Sequence, residues 1–155
     1  MKVKIKKLSP DAVIPTRGTA QSAGLDLTCT RIDYDIYENI VYHTDLAFEI
    51  PEGYVGYIFP RSSIAKKQLF LTNSVGVIDS DYRGEVTLKM KRIPIDDDED
   101  SGVFYANIND PLGHYHVGER ICQLIIMPYP TIELEEANKL SDTERGNGGY
   151  GSTGK

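Results

Sequence analysis

The stretch Val75-Gly76-Val77-Ile78-Asp79-Ser80-Asp81-Tyr82-Arg83-Gly84-Glu85-Val86 decides how this chain is read, because it sets a carboxylate, an aromatic ring and a glycine between two apolar runs. Val86, Leu88 and Met90 alternate with Thr87 and Lys89, so one face of the second run enters a core while the other faces outward. The spacing predicts a hairpin built around a pocket, with Asp79 where the first strand ends.

Working outward, valine, isoleucine, tyrosine and threonine recur in short runs broken by Pro or Gly, as in Ile50-Pro51-Glu52-Gly53-Tyr54-Val55-Gly56-Tyr57-Ile58-Phe59-Pro60. This is the pattern of an all-β barrel or sandwich. Pro51 to Tyr54 reads as a turn, after which Val55, Tyr57 and Phe59 share one strand face. Ser62 to Gln68 is the best short-helix candidate, with Ser62 or Ser63 able to cap it. Residues 94–113 carry the acidic run Asp96-Asp97-Asp98-Glu99-Asp100 and read as a surface loop or elongated, solvated hairpin with a possible protein partner. From Ser141 onward nothing is suited to burial, so the expected organisation is a β-domain over 1–140 and a mobile, Gly-rich arm over 141–155.

At 155 residues, the chain is large enough for one domain with a core that needs no disulfide staples. A formal net charge of −6 argues against sequence-independent binding to long nucleic acid, which draws on a basic surface. A small anionic ligand needs only a local cluster of donors and stays open. The longest apolar run, Leu124 to Met127, is a buried-strand candidate far short of a membrane span, so no membrane partner is expected. Cys29 and Cys122 lie far apart, and the N-terminus leads straight into an alternating strand; the expectation is two reduced, packed thiols in a cytoplasmic protein, or in host cytosol if the source is viral, not a secreted one.

The tail Arg145-Gly146-Asn147-Gly148-Gly149-Tyr150-Gly151-Ser152-Thr153-Gly154 holds five glycines in ten residues. It cannot build a core, yet it offers a guanidinium, two hydroxyls, approachable backbone N–H groups and a ring, a set suited to a polyphosphate attached to a base. With Ser22-Ala23-Gly24-Leu25-Asp26-Leu27, Pro60-Arg61-Ser62-Ser63-Ile64-Ala65, Gly76 to Val86, and Gly118-Glu119-Arg120-Ile121-Cys122-Gln123-Leu124-Ile125, it forms an ordered set of five segments. In that order they resemble the motifs of the trimeric deoxyuridine triphosphate nucleotidohydrolases, the dUTPases.

The resemblance implies a distorted jelly-roll β-barrel in a homotrimer, with three subunits contributing to each site. It implies hydrolysis of dUTP to dUMP and pyrophosphate, which limits uracil in DNA and supplies dUMP for dTMP synthesis. On this pattern Asp79 orients and deprotonates the attacking water, a task for an ionised acceptor close to the nucleophile. Tyr82 lies under the deoxyribose and rejects a ribose hydroxyl. Asn73 and the backbone of Gly76, Val77 and Ile78 recognise uracil, an amide offering donors and an acceptor together. Arg61, Ser62, Ser63 and Gln123 bind phosphates. Arg145 clamps the terminal phosphate, Gly151, Ser152 and Thr153 add donors, and Tyr150 stacks on the base where the family usually has phenylalanine. Asp26 holds Mg2+ through water, and one carboxylate with substrate phosphates is a common way to bind that ion.

Each residue has an ordinary reading beside this one. Asp79 is also a turn former or surface ion-pair partner, Tyr82 a packing residue, Arg61 an ion-pair residue, Ser62 a cap and Asn73 a turn residue. Asp81 is assigned no catalytic role, on the expectation that it points away from Asp79. Gly149 to Lys155 fits a G-x-x-x-x-G-K string with no Ser/Thr or helix after it, so a Walker reading is rejected. Relative to the resemblance, Cys122 stands where alanine is common and the segment 94–113 is longer by roughly a dozen residues. The rival classes are a nucleotide sensor or regulatory protein-binding module on the same fold and a deaminase acting on dCTP.

Overall fold

A computed structural model describes residues 1–93 and 113–150. The acidic segment read at 94–113, apart from Gly113, lies outside the described residues, as do Gly151, Ser152 and Thr153. The described residues form ten strands: β1 Lys4–Lys7, β2 Leu25–Thr28, β3 Arg31–Tyr34, β4 Ile40–His43, β5 Leu46–Glu49, β6 Tyr54–Pro60, β7 Leu69–Leu71, β8 Gly76–Ile78, β9 Thr87–Arg92 and β10 Arg120–Pro128. One short 3-10 helix, Ser62–Lys66, follows β6. Among the described residues no helix is long and apolar enough to cross a membrane.

Two four-stranded antiparallel sheets, in the orders β2-β10-β6-β8 and β3-β4-β9-β7, pack as a jelly roll, with β1 and β5 paired beside them. The core is the inward alternation of both: Leu27, Ile58, Cys122 and Leu124 from the first meet Ile40, Tyr42, Leu69, Leu71, Leu88 and Met90 from the second. Val86, Leu88 and Met90 are all at most 1% exposed while Thr87 and Lys89 face solvent, as the alternation predicts. The turn at Pro51 also forms, with Tyr54 N–H donating to Pro51 O (3.1 Å) and Gly53 at φ +79°.

The expected hairpin does not form as pairing. β8 bonds to β6, and β9 lies between β4 and β7, so the two strands part into different sheets. Val86 supplies the reason: its N–H donates to Leu46 O (2.9 Å), and its carbonyl accepts the buried Thr44 hydroxyl (2.7 Å). Both backbone groups at the entrance to β9 are thus used by Thr44 and by Leu46 at the start of β5, and none remains for β8. The pocket expected within the hairpin is real and is the gap that this parting leaves.

β10 carries a register shift between Arg120 and Cys122, so Ile121 and Cys122 are adjacent yet both fully buried. Beyond it, alternation resumes. Leu124 faces the core, while Ile125 and Met127 join Val55, Tyr57, Phe59 and Val77 on the outer face of the sheet. Val77 and Met127 there are 57% and 48% exposed, so the run Leu124 to Met127 is half outward instead of wholly buried. β10 ends at Pro128, and residues 129–147 are exposed and without strand or helix.

Cys29 and Cys122 are free and buried. Burial pushes the Cys29 thiol up to about 11 and raises Cys122 as well, so both stay as inert core thiols.

Thr44 is fully buried, and its hydroxyl also accepts Leu46 N–H (3.3 Å). Thr44→Val leaves the Val86 carbonyl without its donor and is expected to lower stability by about 1–3 kcal/mol, with Thr44→Ser close to wild type. Urea denaturation reads both; an unchanged midpoint in the valine variant would show that Val86 is held by packing alone.

Candidate active site

Two groups of the expected residues are assembled in one chain. The first surrounds the gap between β8 and β9, a cavity of about 290 Å³ lined by Ile58, Leu71, Thr72, Asn73, Gly76, Val77, Ile78, Thr87, Leu88 and Lys89. Among the described residues β8 is the edge strand of its sheet, so on the side away from β6 its N–H and C=O groups have no strand partner there and face this cavity. Asn73 sits in the tight turn that starts β8: Ser74 N–H donates to Leu71 O (3.1 Å), and Ser74 takes φ +60°. A narrow slot with amide dipoles on one wall suits a planar ligand bearing alternating donors and acceptors.

Asp79 to Tyr82 close a turn at the end of β8, with Tyr82 N–H donating to Asp79 O (3.1 Å). This corrects the expectation for Asp81. In a turn the alternation of a strand does not apply, and Asp79, Ser80 and Asp81 line the same open groove together with Arg83, Lys2 and Lys4. Tyr82 is 44% exposed, and its hydroxyl donates to Glu85 O (3.0 Å).

The second group lies where β2, β10 and β6 converge. Asp26 opposes Gln123, which opposes Phe59, one residue before Pro60 and two before Arg61. Both oxygens of the Asp26 carboxylate are taken: Arg61 Nε donates to Oδ1 (2.9 Å) and Arg120 Nη1 to Oδ2 (3.0 Å). Arg120 was missed in the sequence, although it sits within one of the five segments, because the irregularity after it hides which way it points. Gln123 Nε2 donates to Pro60 O (3.3 Å) and its side chain lies against Gly24, where an added Cβ would stand 2.5 Å from Oε1 and 2.9 Å from Cβ. Arg17, also missed, holds this loop by donating to Ser22 O and Ala23 O.

Neither serine caps the helix by its side chain; Arg61 is the N-cap, and the helix is a 3-10 turn over Ser62–Lys66, shorter than the span expected to Gln68. Ser63 Oγ instead turns inward to Tyr115 Oη (3.1 Å), a contact that anchors the helix and takes its hydroxyl away from solvent. Burial raises the Tyr115 phenol, and its ring meets Tyr42 edge-on at 6.0 Å. Ser62 remains exposed, and the first N–H groups of the turn are orphan donors suited to an anion.

The two groups are far apart. Ile78 opposes Gly56, so Asp79 leaves the sheet near Val55, while Arg61 follows the other end of β6. About six residues of extended chain separate them, roughly 20 Å at ~3.3 Å per residue. In the tail, Arg145 Nε donates to Gly148 O (2.9 Å) and Tyr150 is fully exposed, so neither residue is engaged with the two groups.

The donor chemistry can accept a hydrated divalent cation at Asp26. Carboxylate oxygens carry about four acceptor sites, of which two are used by guanidinium here. Among the described residues no cluster of three or more His, Cys, Asp or Glu could cage a metal alone. A divalent ion at Asp26 would need water and ligand oxygens to complete its coordination.

An edge-strand slot suited to a flat base, a carboxylate in the turn that follows its strand and a separate cluster of guanidinium, hydroxyl and amide donors define a nucleotide-binding β-protein of the enzyme type. The dUTPase family model matches residues 10–154. The deoxyuridine 5'-triphosphate nucleotidohydrolases of Hydrogenobaculum sp. and Nautilia profundicola are 40% and 41% identical, covering 99% and 100% of this chain and the same shares of their own. A solved dUTPase of Staphylococcus bacteriophage 80alpha with dUPNHPP superposes with a TM-score of 0.79 and 32% identity over 99% of this chain and 98% of that one. The chain belongs to the dUTPase family.

Gly24→Ala forces a Cβ into the Gln123 side chain and its Cβ carbon, which cannot move without the β2–β10 pairing. The variant is expected to lose about 1–3 kcal/mol in chemical denaturation. A wild-type midpoint would show that the loop around Gly24 yields freely and does not hold Gln123.

Proposed function

We propose that the chain hydrolyses dUTP to dUMP and pyrophosphate, at sites built from more than one copy. The observation that carries the reading is the slot opened by the parting of β8 from β9, with the Asp79–Tyr82 turn following directly on Ile78 of its lining. Uracil enters the slot and pairs with the free edge of β8 and with Asn73. A thymine methyl is excluded by backbone shaped around bare C5, and cytosine presents a reversed donor and acceptor at position four. Tyr82 forms the wall beneath the deoxyribose.

Asp79 accepts a proton from a water as its oxygen bonds to the α-phosphorus and the bond from that phosphorus to the α,β-bridging oxygen breaks. The pyrophosphate leaves with the electron pair of that bond, and the proton passes to solvent. Positioning and charge stabilisation supply most of the acceleration in such transfers. Arg61, Ser62 and Gln123 bind the phosphates, and Arg145 with Ser152 and Thr153 of the tail completes the charge neutralisation. Mg2+, held by Asp26 through water, supplies neutralisation and a fixed shape for the triphosphate when bound. Tyr150 covers the base; ordering the arm costs on the order of 1–2 kcal/mol per residue in backbone entropy, so closure waits for the nucleotide.

Asp79 and the Arg61 group serve one triphosphate only if they come from different copies, since along one β6 they stand roughly 20 Å apart. The apolar outer face formed by Val55, Tyr57, Phe59, Val77, Ile125 and Met127, on which Val77 and Met127 are exposed, supports packing between copies, and a homotrimer with three shared sites is the assembly proposed.

Pyrophosphate release with Mg2+ should occur from dUTP and not from dTTP, dCTP or UTP, and Asp79→Asn should lower it by about 10²–10⁴-fold. No release from dUTP would overturn the reading. Refolding a mixture of Asp79→Asn and Arg61→Ala chains, each inactive alone, should restore part of the wild-type rate. A mixture as inactive as its components would mean that each site is built within one chain.

A further inference from the structure

Tyr82 is not free to choose its position. Its hydroxyl is tied to Glu85 O (3.0 Å), and its ring lies over Gly84, where an added Cβ would stand 2.4 Å from Oη and 2.6 Å from Cζ. The wall beneath the sugar therefore rests on the backbone of residues 84 and 85. That backbone is in turn held by the Glu85 side chain, which does not face the nucleotide slot. Its Oε1 accepts Asp45 N–H (2.9 Å), and its oxygens stand 3.2 and 3.0 Å from His43 Nδ1.

His43 is itself confined. Its side chain is 12% exposed, Nε2 is 3.1 Å from Asp33 Oδ2 in a close contact outside hydrogen-bond alignment, and Arg31 Nη2 reaches Nδ1 at 3.0 Å. Two contacts thus reach Glu85 directly, from His43 on β4 and from the Asp45 N–H in the β4–β5 connection, while Asp33 and Arg31 of β3 confine His43 itself. Thr44 and Leu46 already hold Val86, so the Glu85 clamp acts on the next residue outward, where the chain leaves the sheet and carries Tyr82. A carboxylate held at these two contacts fixes where residues 84 and 85, and with them the Tyr82 ring, stand.

We infer that Glu85, anchored by His43, is a positioning residue that sets the discrimination between deoxyribose and ribose through Tyr82. The inference rests on the proposed reading of Tyr82 as the sugar wall. Losing the clamp lets the ring recede, which admits the 2′-hydroxyl of UTP and costs dUTP little. A general loss of stability would slow both nucleotides alike.

The experiment is kcat/KM for dUTP and for UTP in wild type, Glu85→Ala, Glu85→Gln, Tyr82→Phe and the double variant Tyr82→Phe/Glu85→Ala. Glu85→Ala and Tyr82→Phe should each lower the dUTP-to-UTP ratio about threefold to tenfold, the size set by one neutral hydrogen bond. The double variant should lie no lower than the worse single one, because both act through one contact. Glu85→Gln keeps an acceptor for Asp45 N–H and should retain most of the ratio. An unchanged ratio in Glu85→Ala, or additive losses in the double variant, would overturn the inference with the proposed function intact. If Glu85→Ala does not fold, Tyr82→Phe decides: it keeps the ring and removes only the tether, and an unchanged ratio there overturns the inference. Failure of wild type to prefer dUTP would remove the proposed function and this inference together.

Discussion

Val86 is held by two hydrogen bonds, to Thr44 in the β4–β5 connection and to Leu46 at the start of β5, and the shape of the slot follows from them. They draw the entrance of β9 into the second sheet while β8 stays on β6 in the first. A continuous hairpin would have closed its ladder and used its amides on itself. Parting instead leaves β8 as an edge strand beside a cavity, with backbone groups free for a ligand. An exposed edge is ordinarily an aggregation hazard; here it spans three residues and lines a narrow slot.

The second consequence is a division of labour along β6. Its N-terminal half lies beside β8 and the Asp79 turn, and its C-terminal end runs into Arg61 and the helix at Ser62. The two halves of the chemistry are held rigidly by one strand and, for the same reason, held apart. Each is stabilised locally: the Asp26 carboxylate bridges two guanidinium groups, and the Ser62–Lys66 helix is tied by Ser63 to the buried Tyr115. The Asp26 pairs are partly exposed, with Arg120 54% accessible, so solvent screening limits their contribution to stability. Their effect is to align two guanidinium groups on one carboxylate.

Strand periodicity made the core legible before any coordinates. Val86, Leu88 and Met90 read as inward and are inward, the Pro51 turn forms, and the five segments lead to the family to which the chain belongs. Local patterns fail where a long-range contact competes with them. The hairpin expected from residues 75–90 is undone by Thr44 and Leu46, some forty residues earlier in the chain, and no local signal in the hairpin reports that. Arg120 was hidden by a strand irregularity whose only trace is two successive apolar residues, Ile121 and Cys122, ahead of Gln123.

What the sequence by itself determined is therefore the all-β class, the faces of its strands and the inventory of reactive groups, because a period of two residues and the chemistry of single side chains are local properties. Tertiary structure alone decided which groups meet: that Asp26 pairs with Arg61 and Arg120, that Ser63 turns inward, that Asp79 and Arg61 occupy opposite ends of one strand, and that Tyr82 leans on Glu85. Those outcomes depend on sheet order and on competition for backbone hydrogen bonds between residues distant in the chain, and neither is written in any window of neighbouring residues.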